Sequence, residues 1–311
     1  MIVSLAQIFP VWLDRKATTD KICTYISEAA KSGARLICFG ETLLSGYPFW
    51  IDPTDGARFE SDRQKDFYAH YVREAVVVAE DLKDIQSLAK DHNIAIYLGV
   101  IERAVDRGGQ SVYCSLVYVD QQGVIQSVHR KLMPTYEERL VWATGDGNGL
   151  QVHELEEFHV GGLNCWENWM PLARTTLTGM GETLHVATWP GCLRNTVDLT
   201  RHMAKESRSY VISISGLMTT ETIGDHVPHA DLLRDNMNEW VADGGSCIAN
   251  PDGSWLIEPV THKECLLTAE LDLDMVRRER HNFDPVGHYS RPDVFQLKVN
   301  RDRQNILGNE G

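Results

Sequence analysis

Short apolar runs rich in β-branched and aromatic residues alternate along the chain with segments whose apolar positions recur at helical spacing. Residues 2–8, 35–39, 94–100 and 112–119 read as strands. Between the first two, residues 18–32 read as a helix. Ile22, Tyr25, Ile26, Ala29 and Ala30 keep the i, i+3, i+4 spacing, and Gly33 supplies a stop. Residues 68–92 carry a second, longer helical pattern. The second half repeats the style, with strands expected at 160–164, 185–188, 210–215, 246–250 and 265–271, and helices at 171–180 and 195–209. Asn250-Pro251-Asp252-Gly253 is a tight-turn sequence, so residues 247–249 and 255–257 should form a hairpin. Strands alternating with helices fit an α/β sheet covered by helices. With no linker, repeat or low-complexity segment, one domain over residues 1–311 is the economical expectation.

Composition narrows the functions available. Of 311 residues, 43% are apolar and 24% charged, the profile of a globular chain with a sizeable core. A formal charge of −14 with no basic run leaves no surface for phosphate contacts, so no nucleic-acid partner is expected. No apolar stretch is long enough for a bilayer, and the start lacks the basic leader of a signal peptide; the expected location is cytoplasmic, without a membrane partner. Seven cysteines form no CxxC pair, which argues against a disulfide framework and against zinc. Cys38, Cys114, Cys247 and Cys265 sit in strand-like runs and read as core packing. His226 and His229 flank Pro228 without suitably spaced carboxylate or thiol partners, and read as a surface loop; no metal is expected.

Three segments each place a reactive side chain at the end of a strand-like run. The first is Leu36-Ile37-Cys38-Phe39-Gly40-Glu41-Thr42. The second is His129-Arg130-Lys131-Leu132-Met133-Pro134-Thr135, followed by Tyr136-Glu137-Glu138-Arg139. The third is Gly161-Gly162-Leu163-Asn164-Cys165-Trp166-Glu167-Asn168. Cys165 has the context of a nucleophile elbow, a strand that ends in the nucleophile and turns into a helix, with the next N–H open to a developing anion.

Together the three resemble the Glu, Lys and Cys motifs of the nitrilase superfamily of carbon-nitrogen hydrolases, in that order. The likeness runs from Ala6-Gln7 to the Gly287-His288-Tyr289-Ser290-Arg291-Pro292-Asp293 segment, nearly the whole chain. Cys165-Trp166-Glu167, and the Glu-Arg-x-x-Trp and Gly-Asp-Gly patterns between residues 136 and 147, resemble the nitrilase branch in particular. One departure is Gly40, where the family usually has proline before the first glutamate; glycine relaxes the backbone that proline would fix.

The resemblance implies an α/β fold of the four-layer α-β-β-α sandwich type and hydrolysis of an organic nitrile to acid and ammonia. The related alternatives are amide hydrolysis or cyanide hydration on the same scaffold, and, far behind, a silent oligomeric scaffold. It implies Cys165 as nucleophile, Glu41 as base, Lys131 beside the developing charge, and Glu138 as the group that positions substrate or holds Lys131. A thiol is a weak nucleophile until a base takes its proton, which is why a carboxylate must stand beside it. Tyr47, Trp142, Trp166, Glu167 and Trp189 are the expected substrate-binding residues. Glu167 is read either as an orienting group or as a carboxylate buried against Arg174, and Glu206 as a brace. No cofactor is required. The expected partners are a small nitrile, preferably with a sizeable apolar or aromatic group, and further copies of the chain. Those copies would form a dimer or a filament, with a tail from about residue 290 and a polar insertion at 52–66 near subunit contacts.

Overall fold

The computed structural model describes residues 1–306. The first 130 residues build most of one sheet from β1 (Ile2–Gln7), β2 (Leu36–Phe39), β3 (Ala95–Arg103), β4 (Val112–Val119) and β5 (Ile125–Arg130). A second sheet follows from β6 (His153–Leu155), β7 (Phe158–Asn164), β8 (Leu184–Trp189), β9 (Tyr210–Ser215), β10 (Leu217–Thr219), β11 (Trp240–Ala249) and β12 (Trp255–Thr261). The chain then returns to the first sheet, where β13 (Cys265–Glu270) lies antiparallel to β1. The orders are β13-β1-β2-β3-β4-β5 and β10-β11-β9-β8-β7-β6, with β12 also paired to β11.

Alternation in the strands decides the layers. Val3, Leu5, Leu36, Cys38, Tyr97, Leu116 and Tyr118 point from the first sheet toward Phe158, Val160, Val186, Ile212 and Ile214 of the second, forming the core between sheets. The alternate residues Ile37, Phe39, Ile96, Leu98, Val117 and Val119 face outward. They are covered by α1 (Arg15–Lys31) through Ile22, Ile26 and Ala29. Beyond the second sheet, Ala173 and Leu177 of a helix at Pro171–Gly179 cover Leu163, and Leu199, Met203 and Ala204 of another at Leu199–Ser207 cover Ala187 and Val211. Helix, sheet, sheet, helix is the four-layer α-β-β-α sandwich. Each such fully buried aliphatic or aromatic side chain contributes roughly 1.5–3 kcal/mol.

Two expected helices are broken. The pattern at 68–92 is divided among helices at Asp62–Glu74, Val78–Asp81 and Lys83–His92. At the break Val76 joins the sheet: its N–H donates to Ile101 and its carbonyl accepts from Arg103. The run Val76-Val77-Val78 has the β-branched character that favours this. The segment expected at 195–209 is likewise split into Leu193–Thr196 and Leu199–Ser207. The hairpin of β11 and β12 turns at Asn250–Gly253, where Gly253 has φ +80° and donates to the Asn250 carbonyl. Segment 52–66 holds a short turn at Asp52–Thr54 and carries Phe59, which is 89% exposed. Near the C-terminus, Val299 packs against the cluster of Leu150, Leu163, Ala173 and Leu177, and Arg303 pairs with Asp146, so this part of the tail rests on its own chain.

Topology places the site. β5 runs antiparallel to β4, which runs antiparallel to β3, so the carboxyl ends of β2 and β5 share one edge. Glu41 follows β2 and Lys131 follows β5 there, while Cys165 follows β7 in the facing sheet.

Candidate active site

Glu41 stands where the two sheets touch without side chains between them. A Cβ on Gly40 would lie 2.8 Å from Gly216 N of the facing sheet, and within the first sheet one on Gly99 of β3 would lie 2.2 Å from the Gly40 carbonyl oxygen. This accounts for Gly40: the position has no room for any side chain. The Glu41 N–H donates to the Trp189 carbonyl at 3.1 Å, which ties the turn to β8.

Lys131 is pinned by its main chain, with its N–H on the Cys114 carbonyl and its carbonyl accepting from Gly145, both at 2.8 Å. Its Nζ donates to Glu41 Oε1 at 2.9 Å and to Glu138 Oε2 at 2.7 Å. Glu138 belongs to a short 3₁₀ turn, Tyr136–Leu140, and closes its capping box by accepting from Thr135 N. The Tyr47 hydroxyl donates to its other oxygen at 2.8 Å. Cys114 Sγ adds a donor 3.4 Å from Glu41 Oε1, whereas Glu41 Oε2 is buried with no hydrogen-bond partner among the described residues.

Cys165 opens a 3₁₀ turn, Cys165–Trp169, with φ +45°, a left-handed conformation that a non-glycine residue holds only when its surroundings enforce it. Its thiol and one oxygen each of Glu41 and Glu138 lie within 4.8 Å of one another. Two carboxylates and a thiol at that spacing resemble a metal ligand set, but the Lys131 ammonium already bridges the carboxylates as their cation.

Burial governs the electrostatics. Removal from water raises the Glu41 carboxyl, Lys131 pulls it back and Glu138 raises it again, leaving it at about 7. Burial and the Glu41 charge push the Cys165 thiol up against the opposing effect of Lys131, so it rests protonated. Burial would lower Lys131, but Glu41, Cys165 and Glu138 outweigh it and hold the ammonium charged. The arrangement is a protonated thiol beside a carboxylate of near-neutral pKa with one open oxygen, and a fixed cation alongside.

A cavity of about 650 Å³ opens onto Cys165 and Glu138, with walls including Tyr47, Phe49, Tyr136, Trp166 and Trp240. Tyr47 and Trp166 are thus at the cavity, whereas three other expected substrate-binding residues are not. Trp142 sits behind Tyr47, edge-on at 5.4 Å, and its N–H donates to Tyr71 Oη. Trp189 is fully buried against the outer helix layer and donates to Ser213 Oγ. Glu167 is buried within the protein: it accepts from Leu132 N at 2.6 Å and Asn164 N at 2.9 Å, and both oxygens lie 3.1 Å from His129 Nε2. Burial raises this carboxyl, but His129 and these donors outweigh it and hold it low. It therefore links the Lys131 segment to the Cys165 turn. Arg174, its expected partner, instead pairs with Glu206 and donates to the Asn168 carbonyl.

His226 bonds the Trp12 carbonyl and His229 pairs with Asp66, so the two are committed separately. Sequence reasoning missed Cys114 at Glu41 and Trp240 at the cavity. Neither has a local signal, since each reaches the site only through strand pairing. A second cavity, of about 720 Å³ beside Phe59 and Tyr68, contains none of the candidate residues.

The carbon-nitrogen hydrolase family matches residues 2–281. The chain is 35% identical to a nitrilase 2 from an unknown prokaryotic organism, over 99% of this chain and 96% of that one. It is 35% identical to an aliphatic nitrilase of Rhodococcus rhodochrous, over 96% and 78%, and 34% identical to a bromoxynil-specific nitrilase of Klebsiella pneumoniae subsp. ozaenae, over 96% and 84%. Among solved structures it resembles a carbon-nitrogen hydrolase from Helicobacter pylori G27, with TM-score 0.70 at 19% identity over 94% of this chain and 96% of that one. An amidase from Nesterenkonia sp. AN1 gives 0.66 at 19% over 91% and 95%; at such identities these two bear on the fold alone. On its sequence, its fold and its relatives, this chain belongs to the carbon-nitrogen hydrolase family and is a hydrolase acting on carbon–nitrogen bonds.

Proposed function

We propose that this enzyme is a nitrilase, converting an organic nitrile and two waters to a carboxylic acid and ammonia. The observation that carries the reading is the Lys131 ammonium bridging Glu41 and Glu138 within reach of the Cys165 thiol, at the end of an aromatic-walled cavity. Relatives named as nitrilases over nearly the full chain support nitriles as the substrate class.

In this reading the open oxygen of Glu41 takes the thiol proton as sulfur attacks the nitrile carbon. The proton passes to the nitrile nitrogen, giving a covalent thioimidate on Cys165. Glu41 then activates a first water, which adds to the thioimidate carbon. The tetrahedral adduct expels ammonia and leaves a thioester, and a second water releases the acid and restores the thiol. Lys131 and the Trp166 N–H stabilise the negative charge that develops at each addition. Glu138, held by Tyr47 and Thr135, fixes Lys131 and faces the cavity.

The cavity walls favour nitriles bearing an aromatic or sizeable alkyl group over acetonitrile or cyanide, since each buried methylene is worth roughly 1–3 kcal/mol in discrimination. Ammonia and acid release from phenylacetonitrile, a dinitrile, acetonitrile, cyanide and the matching amides tests both points; highest kcat/KM for an amide or for cyanide would overturn them. Cys165→Ala should fold and be inactive, with the wild-type adduct found on Cys165 by intact and peptide mass. An adduct on Cys192 instead would end the assignment.

No helix among the described residues is long and apolar enough to cross a membrane. The reading includes a cytoplasmic enzyme of one domain that self-associates, with exposed Phe59, Val294 and Phe295 available for contacts between copies. Light scattering tests the association, and a monomeric mass at high concentration would exclude it.

A further inference from the structure

Beneath the Cys165 turn lies a chain of buried polar groups that the chemistry above does not use. Asn168 donates from Nδ2 to the Cys165 carbonyl at 2.9 Å and to the Leu163 carbonyl at 3.2 Å, bracketing the nucleophile's peptide on both sides. Two carbonyl acceptors on one side require the amide nitrogen there, so Oδ1 faces the other way, 2.7 Å from His185 Nε2. His185 must therefore carry hydrogen on Nε2. Its Nδ1 lies 2.9 Å from Glu182 Oε1, a contact that shares one proton between imidazole and carboxylate. Asn168, His185 and Glu182 are all at most 3% exposed.

The neighbouring strand makes room for this chain. A Cβ on Gly161, the residue paired with His185 across β7 and β8, would lie 2.2 Å from Glu182 Oε1. The carboxylate thus occupies the volume that a side chain on β7 would take. Arg174 adds a clamp by donating to the Asn168 carbonyl at 2.6 Å. Burying three polar side chains costs several kcal/mol unless each is satisfied, and here the satisfied chain ends on the nucleophile, whose φ of +45° is strained.

We propose that Glu182 and His185 are positioning residues for the nucleophile: through Asn168 they hold the Cys165 peptide in its left-handed turn, with Sγ toward Glu41. Neither touches substrate. The proposal rests on Cys165 being the nucleophile, and it accounts for a glycine, a histidine and a carboxylate that packing alone leaves without a reason.

The test compares His185→Phe, His185→Gln and Glu182→Gln in the full-length enzyme, with folding checked by near-UV circular dichroism. Two readouts are taken: kcat and KM on the best nitrile, and the rate of Cys165 alkylation by iodoacetamide, with the adduct located by peptide mass. His185→Phe leaves Asn168 Oδ1 without a donor. It should lower kcat about 100-fold and slow Cys165 alkylation at least tenfold, with KM within about twofold of wild type. His185→Gln, which keeps an N–H donor, should recover to within about tenfold in kcat. If His185→Phe does not fold, the isosteric Glu182→Gln carries the test, with an expected tenfold loss in kcat at unchanged KM. Wild-type kcat and alkylation in a folded His185→Phe, or in Glu182→Gln where that variant is decisive, would overturn the proposal. Because alkylation reports on the thiol without turnover, this failure is distinct from failure of the nucleophile assignment, which would show as an active Cys165→Ala, and from failure of the nitrilase reading, which would show as highest kcat/KM for an amide or for cyanide.

Discussion

Arg130 and Lys131 are adjacent, both are buried, and each bridges two carboxylates, but the clusters they build differ in one respect. Arg130 is bidentate to Glu102 and also donates twice to Asp106, and Ser115 adds a further donor to Glu102. All four carboxylate oxygens of that cluster are satisfied. Lys131 makes a single bond to each of Glu41 and Glu138, and one oxygen of Glu41 has no partner among the described residues. The geometry of the cations accounts for much of this. A planar guanidinium with five donors saturates its partners, whereas an ammonium approaches each carboxylate as a point charge and leaves oxygen exposed. A saturated cluster can only hold the fold together. An unsaturated one beside a protonated thiol has somewhere to put a proton.

The comparison breaks most decisively at Lys131. Lys131→Met should reduce kcat by roughly 10²–10³-fold, the usual effect of losing a donor to developing charge, while the protein remains folded. Arg130→Met should leave the chemistry in place while destabilising the fold by about 3–5 kcal/mol in urea unfolding, because it strands the buried Glu102 carboxylate. The kcat of its folded fraction should stay within severalfold of wild type. Equal effects of the two substitutions on both kcat and stability would erase the distinction.

A finer test uses pH. Glu41 acts in its ionised form and its carboxyl is raised to about 7, so kcat/KM should fall as pH drops through that value. Cys114 donates to the ionised form, so removing the thiol raises the carboxyl further. Cys114→Ala should therefore move the acid limb to higher pH. A neutral hydrogen bond is worth about 1 kcal/mol, which limits the move to less than about one pH unit. A limb that moves down would remove Cys114 from contact with the base.

How legible each region was follows from the range of the interactions that make it. Strands β1 to β4 read clearly because both faces are covered and nearly every position is apolar. β5 was legible only as a strand-like run ending before Lys131, without a start: Ile125, Gln126 and Val128 are partly or largely exposed, and Gln, Ser and His dilute its pattern. The helix at 68–92 was misread because local periodicity cannot report the pairing of Val76 with Glu102 across the fold. In the site, Glu41, Lys131, Glu138 and Cys165 stood out because each lies in a recognisable segment, and the fold brings all four together. Trp142, Trp189 and Glu167 lie in or near the same segments but turn away from the cavity; a motif specifies neighbours along the chain, not the face a ring presents. Cys114 and His185 had no signal of that kind, since their partners come from strand register and packing between elements.

The contact of bare backbones at Gly40, Gly99 and Gly216 bears on how such an enzyme can be bred toward new substrates. The turn that carries Glu41 is packed there main chain against main chain, so no side chain at these glycines can be enlarged without displacing it. A single methyl at position 99 would press on the Gly40 carbonyl and the Glu41 Cα together. Phe49, Tyr136 and Trp240, by contrast, line the cavity without holding Glu41 or Cys165 in place. Mutant libraries at these wall positions can reshape what enters while the reacting groups keep their spacing, so substrate range and catalytic geometry are separately heritable traits of this scaffold.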